Sequence, residues 1–237
     1  MPNVFLWAHR GVSLRAPENT MAAFAAARDC QADGIELDIH LSADGVPVVM
    51  HDETLDRTTD GQGPIGVQTV RQLQRLDAGS WFAGTFAGET VPLLDDVLKT
   101  FGDTLRLNLE IKDLQAGAAV LALLETYRQA DCLISSFDYP LLARLRAWQP
   151  SLPLAVLFDA GNWHQALRFA VGLHARAFHP GVDVVTRPMI AACRRARLPV
   201  HVWTVDDPAV ARSLVRAGVS GLFSNDPAAL NFLSVPH

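Results

Sequence analysis

Eight apolar runs of strand length, separated by stretches with helical periodicity, constrain this chain of 237 residues more than any other feature. The runs fall at 4–8, 34–41, 105–111, 133–136, 154–157, 177–179, 200–205 and 221–224. Between them, apolar residues return at the i, i+3, i+4 spacing of an amphipathic helix, as with Met21, Phe24 and Ala25. Helices are predicted over 17–32, with Pro17 at or near the start, and over 115–129, 140–148, 187–196 and 208–217. Strands that alternate with helices build a parallel sheet, and eight such units predict a (β/α)8 TIM barrel spanning 1–237 as one domain. A doubly wound open sheet is the alternative, but the chain carries neither a GxGxxG fingerprint nor a P-loop.

One segment breaks the alternation. Ser42-Ala43-Asp44-Gly45 joins the second strand to another run at 46–51. Four residues cannot carry a parallel crossover, and Asp-Gly between alternating runs is a hairpin signal. The run at 46–51 is therefore expected to fold back antiparallel, bringing His51 beside Glu36 and Asp38. After it come turn-rich "TLDRTTDGQGPIG", a short amphipathic helix in "TVRQLQRLDAGSWF" and a second helix in "ETVPLLDDVLKTFG", with Pro92 near its start and Gly102 as its stop. These read as a small insertion on the barrel rim over about 53–103.

Polar residues gather where the strands end, which is where α/β barrels carry their chemistry. His9 and Arg10 follow strand 1. Glu36 and Asp38 lie on strand 2, Glu110 and Lys112 on strand 3, and Ser135 to Asp138 end strand 4. His179, Trp203 with Thr204, and Asn225 with Asp226 end later strands. Glu36 and Asp38 are two apart and share one side of their strand, with Glu110 expected beside them. Three buried carboxylates must either protonate or share a cation. Oxygen ligands without a thiolate suit a hard divalent cation such as Mg2+ or Ca2+, with Mn2+ also compatible. The alternative is a closed salt-bridge cluster with Arg10 and Lys112. Those two cations make more chemical sense against a phosphate, and His9 and His51 suit proton transfer near neutral pH. Of the other histidines, His164, His174 and His237 read as surface and His201 as facing away from Trp203, with His40 on the rim and His179 lining a substrate pocket.

A formal charge of −5 and a pI near 5.9 argue against a nucleic-acid partner. Cys30, Cys132 and Cys193 are odd in number and far apart, so they read as core thiols in a reducing compartment. With no signal peptide and no apolar run near the 18 residues of a membrane span, a cytoplasmic location without stable membrane association is expected.

The motifs, taken together, resemble the glycerophosphodiester phosphodiesterases. "HRG" stands at 9–11, "PENT" at 17–20, "GIELDI" at 34–39 and "DGVPVVMHD" at 44–52; "NLEIK" follows at 108–112, "SSFD" at 135–138, "VWTVDD" at 202–207 and "SNDP" at 224–227. "LFDAGNW" is similar to the central segment of the intracellular bacterial members. The resemblance implies hydrolysis of small-molecule glycerophosphodiesters, such as glycerophosphocholine or glycerophosphoethanolamine, to sn-glycerol 3-phosphate and an alcohol. It implies Glu36, Asp38 and Glu110 as metal ligands and His9 and His51 as the acid–base pair, taken here with His9 as base and His51 as acid. It further implies Arg10 and Lys112 at the phosphate, Asn19 bracing the site with Glu18 nearby, and Phe137 and Trp203 packing on the glycerol or walling the pocket. The nucleophile, the glycerol 2-hydroxyl or water, stays open. A second reading is a phospholipase-like barrel acting on intact lipids, with Trp81, Phe82 and Phe86 as an apolar rim. A barrel that only binds its ligand is a third.

Overall fold

The computed structural model describes residues 4–233, so His237 lies outside the described residues. In chain order the elements are β1 (Phe5–His9), α1 (Met21–Asp29), β2 (Gly34–Leu41), β3 (Pro47–Val49), α2 (Val70–Leu73), α3 (Leu94–Phe101), β4 (Arg106–Ile111) and α4 (Ala116–Thr126). Then come β5 (Cys132–Ser136), α5 (Tyr139–Trp148), β6 (Leu154–Phe158), α6 (Trp163–Gly172), β7 (Ala177–Pro180), α7 (Arg187–Arg195), β8 (His201–Val202), α8 (Pro208–Ala217) and β9 (Gly221–Ser224). The strands follow the order β7-β6-β5-β4-β2-β1-β9-β8 with parallel pairing throughout. Two parallel bridges, Phe178 to Val200 and Gly181 to Trp203, link β7 to β8 and nearly close the ring. The fold is the expected (β/α)8 TIM barrel. The outer core lies between strands and helices, for example Leu37, Leu109 and Ile134 against Phe24, Val120 and Leu142.

Strand β3 folds back on β2 as an antiparallel hairpin, with Ile39 opposite Val49 and Leu41 opposite Pro47. The chain then makes an excursion with its own small core of Val48, Met50, Leu55, Ile65, Leu73, Ala78 and Val91. Helix α3 differs from this excursion in its packing, because Leu94, Val97, Leu98 and Phe101 enter the main core. The helix expected within 69–82 shrinks to the single turn of α2. The Asp77 carboxylate accepts the backbone amides of Gly79, Ser80 and Gly88, and this competes with helix continuation.

Two further elements are shorter than the periodicity predicts. Helix α1 begins at Met21 rather than near Pro17, with Thr20 as N-cap accepting from the Ala23 amide. Asn19 ahead of it adopts φ +56°. Strand β8 keeps only His201 and Val202 of the 200–205 run, although Trp203 and Val205 still donate to the Pro180 carbonyl of β7 and the Phe223 carbonyl of β9.

The barrel floor is aromatic. Trp7 and Phe223 stack at 5.6 Å over Leu133, Ala155 and Ala177. His201 does not face away from Trp203: residues two apart on a strand share a side, and both point inward. Its Nδ1 accepts the Trp7 indole N–H at 2.9 Å, and its ring stacks on His179 at 5.3 Å. Burial, aided by Arg106, pushes the His201 imidazole down to about 4. An unfolded chain binds a proton at His201 near pH 6.5 that the folded one refuses, so stability is intact above that pH and falls as pH drops toward 4. His201→Gln keeps an acceptor for Trp7 and should flatten this fall by up to about 3 kcal/mol, as read by urea unfolding at pH 7 and pH 4. Equal pH slopes in the two proteins would refute the assignment.

Candidate active site

The site grows from the turn after β1. Arg10 and Gly11 both adopt positive φ, +57° and +80°, which curls the backbone so that the Arg10 amide donates to Glu36 Oε2 at 3.0 Å. Position 11 must be glycine, since a Cβ there would lie 2.6 Å from the Ala23 carbonyl carbon and its Cβ. The β2–β4 register sets Glu36 opposite Asn108 and Asp38 opposite Glu110. Glu36, Asp38 and Glu110 are all buried, and each offers an oxygen within 4.8 Å of the others. Asn19 braces the cluster from behind. Its amide donates to Asp38 Oδ2 at 2.8 Å, and its carbonyl accepts the Asp38 amide at 3.3 Å.

Two cations reach the triad. Lys112 Nζ lies 3.1 Å from Asp38 Oδ1 and 2.5 Å from Glu110 Oε1. Arg10 Nε lies 3.3 Å from Asp38 Oδ2 while its Nη1 donates to Glu18 Oε1 at 2.9 Å. Burial disfavours ionised Asp38, but Lys112, Arg10 and His51 outweigh it and hold the carboxyl below its usual range. The other two behave differently. Burial, then Asp38 and Glu110, push Glu36 well up. Burial, then Asp38, push Glu110 up to about 7 even with Lys112 beside it. Glu36 Oε1 and Asn108 Oδ1 are buried without a hydrogen-bond partner. A closed salt-bridge cluster would leave neither an orphan oxygen nor two carboxyls resisting ionisation. The donor set therefore fits a hard divalent cation, which these residues could hold.

Each histidine is fixed by a partner on Nδ1. His9 Nδ1 lies 2.8 Å from Asn225 Oδ1, and the amide orientation of Asn225 is set because its Nδ2 donates to Asp206 Oδ2 at 2.7 Å. His9 Nδ1 is accordingly the donor, and Nε2 is left as the free base, 3.9 Å from Glu36 Oε2. Burial, then Arg10, push this imidazole down to about 4. His51 Nδ1 donates to Asp52 Oδ1 at 2.7 Å. Burial lowers the His51 pKa as well, against the pull of Asp38 and Asp52.

These groups line one cavity of about 220 Å3 at the strand ends. His9, Arg10, Glu36, His51, Glu110 and Lys112 form its polar side, and Phe137, Leu157, Trp203 and Phe223 its apolar wall. Phe137 meets Trp203 edge to face at 5.7 Å, and the Trp203 indole donates to the His179 carbonyl. Asp38 and Asn19 sit behind this surface. A larger cavity of about 500 Å3 opens at the opposite face, before β6, β7 and β8, but no carboxylate lines it.

Two expected positions change. His40 is buried and donates to the His51 carbonyl at 3.2 Å rather than lining the rim. His179 lies in the floor under the cavity wall, stacked on His201, and does not line the pocket. The sequence reading also passed over Asn225 as a partner for His9, Asn108 in the cavity wall, and Arg57 behind Asp52. Asn108 stands two residues before Glu110 on β4 and shares its side, so strand period marks it; the other two pairings leave no local signal. Trp81, Phe82 and Phe86 pack on one another edge to face at 5.7 and 5.6 Å.

Residues 9–229 match the model of the glycerophosphoryl diester phosphodiesterase family. The chain belongs to that family. It is similar to the glycerophosphodiester phosphodiesterase of Caldanaerobacter subterraneus, 37% identical over 94% of each chain. Among solved structures it is similar to a phosphodiesterase of Oleispira antarctica in complex with the product sn-glycerol 3-phosphate, at a TM-score of 0.89 and 31% identity, covering 98% of this chain and 96% of that one. It is also similar to a glycerophosphodiester phosphodiesterase of Agrobacterium tumefaciens, at a TM-score of 0.85 and 33% identity over 99% and 100% of the two chains. The chain is thus an enzyme, a glycerophosphodiester phosphodiesterase acting on a small-molecule substrate. Among the described residues no helix is long and apolar enough to cross a membrane.

Asn225→Ala removes the group that fixes the His9 tautomer. It should lower kcat by about 10- to 100-fold with the melting temperature near wild type. Steady-state kinetics beside a thermal melt check this, and an unchanged kcat would show that His9 needs no such partner.

Proposed function

We propose that this cavity hydrolyses glycerophosphodiesters such as glycerophosphocholine and glycerophosphoethanolamine to sn-glycerol 3-phosphate and the free alcohol, with His9 and His51 moving the protons. One observation carries the reading: two imidazoles, each tied at Nδ1, line the same small cavity as Glu36, Glu110 and two cations, with Asp38 directly behind it. Glu36, Asp38 and Glu110 are the residues that hold a divalent cation, Mg2+, Ca2+ or Mn2+. Such a cation, when bound, supplies Lewis-acid stabilisation of charge on the phosphoryl oxygens.

The chain's own groups do the rest. Arg10 and Lys112 offer N–H donors to the phosphate. Phe137, Leu157, Trp203 and Phe223 enclose the glycerol carbons and keep water away from that side. His9, neutral at physiological pH, takes the proton from the nucleophile at Nε2. His51 gives a proton to the oxygen of the departing alcohol as its bond to phosphorus breaks. Asp52 favours the imidazolium that this role needs, and an arriving phosphodiester anion favours it further. The nucleophile is either the glycerol 2-hydroxyl, giving a cyclic phosphate that water opens, or water itself. Trapping of a cyclic glycerophosphate in a single turnover selects the first route, and its absence the second.

Release of sn-glycerol 3-phosphate from glycerophosphocholine should stop with EDTA and return with Mg2+, Ca2+ or Mn2+. His9→Ala and His51→Ala should each lower kcat by about 100-fold or more while calorimetry still detects cation binding. No product from either diester with any of the three ions would overturn the substrate assignment in favour of intact lipids.

A further inference from the structure

The His51 ring is held by Asp52, and Asp52 is held by a residue that no motif singled out. Arg57 belongs to the excursion and lies at the surface, with 44% of its side chain exposed. An exposed ion pair ordinarily contributes little, because water screens it and the long side chain must be ordered. Arg57 is not an isolated pair. Its Nε and Nη2 donate to Asp52 Oδ2 and Oδ1 at 2.7 and 2.9 Å. Its Nη1 and Nη2 donate to Glu18 Oε2 and Oε1 at 2.7 and 2.8 Å. One planar guanidinium therefore grips two carboxylates, each with both oxygens, and this fixes direction as well as distance.

The two carboxylates belong to different parts of the fold. Asp52 follows the hairpin strand β3, whereas Glu18 precedes α1 and is anchored in turn by Arg10. Both share the Nη2 nitrogen, so without the guanidinium they would face each other as neighbouring like charges. His51 Nδ1 has no partner other than Asp52 within hydrogen-bond reach among the described residues. Movement of Asp52 thus releases the ring.

We propose that Arg57 is a positioning residue for the diesterase reaction: by locking Asp52 against Glu18, it aims His51 into the cavity. The proposal rests on the role assigned above to His51. Arg57 touches neither the cavity nor the carboxylate triad, so it reaches His51 only through Asp52; its other partner, Glu18, is held independently by Arg10. A lysine offers one compact ammonium and cannot span both carboxylates in the same fork.

The test uses the full chain with its divalent cation, on glycerophosphocholine. Arg57→Ala should lower kcat by about 10- to 100-fold, with KM and melting temperature changing little. Arg57→Lys should recover only a small part of this. Added guanidinium ion at non-denaturing concentration should raise kcat of Arg57→Ala and leave wild type unchanged, a response that a merely structural role would not give. In the His51→Ala background, Arg57→Ala should cost no more than about twofold further. Arg106→Gln removes another surface guanidinium, paired with Asp131, and should leave kcat unchanged. An impaired His51→Ala beside an Arg57→Ala of wild-type kcat would overturn the Arg57 proposal alone. Full additivity of the two losses would do the same. A His51→Ala of wild-type kcat would overturn the assigned role of His51 itself.

Discussion

Everything at the mouth of this barrel is organised around negative charge that its own side chains do not neutralise. Three carboxylates stand on two adjacent parallel strands, and register alone forces their oxygens within 4.8 Å. Burial strips them of water, and proximity sets them against each other. Asp38 is held ionised by Lys112, Arg10 and Asn19, whereas Glu36 and Glu110 resist ionisation even though the Arg10 amide reaches Glu36 and Lys112 reaches Glu110. Such a cluster is relieved by protonation or by a shared cation, and its oxygen donors fit a hard divalent cation. The strand pairing, the left-handed turn at Arg10 and Gly11, and the brace from Asn19 all serve to hold that charge in one place.

The imidazoles extend the same logic to proton transfer. A parallel strand delivers side chains to the cavity only at its C-terminal end, and β1 uses that position for His9. The second histidine arrives by a different route. Because β3 runs antiparallel along β2, the end of the hairpin returns to the mouth, and His51 enters the site from the side facing away from Asn225. The two rings are then given unequal partners. An amide oxygen can only fix the tautomer of His9, whereas the Asp52 carboxylate also favours a charged ring at His51. This difference in partners underlies the assignment of base and acid.

Much of this was legible in the sequence, because it depends on local periodicity. The alternation of Glu36 and Asp38 with Ile35, Leu37 and Ile39 gives both the strand and the shared face. The four-residue link after Leu41 permits only a hairpin, and the 208–217 periodicity coincides with α8 (Pro208–Ala217). Sequence pattern and structure part mainly where long-range contacts override local pattern. His201 is the local exception, because the two-residue strand period itself puts it on the side of Trp203. The 200–205 run yields only a two-residue strand, although Trp203 still bonds to β7 and Val205 to β9. Asn225 meets His9 across 216 residues of chain, and no spacing rule carries that information. Arg57 lies in a turn-rich segment without periodicity, and its importance appears only when Glu18 and Asp52 are seen on either side of it.

The cavity's size and walls bear on what can bind. About 220 Å3 lies below the usual range for drug-sized ligands, which begins near 300 Å3. That space suits the phosphate and glycerol of the diester proposed above. The polar side would meet the phosphate and the aromatic side the glycerol carbons, leaving the second alcohol at the mouth near half-exposed Phe137 and Asp159. The aromatic residues of the excursion pack edge to face on one another, and Trp81, its indole bonded to the Ala78 carbonyl, stays 41% exposed. The cavity, rather than this rim, is what supports the small diesters proposed above.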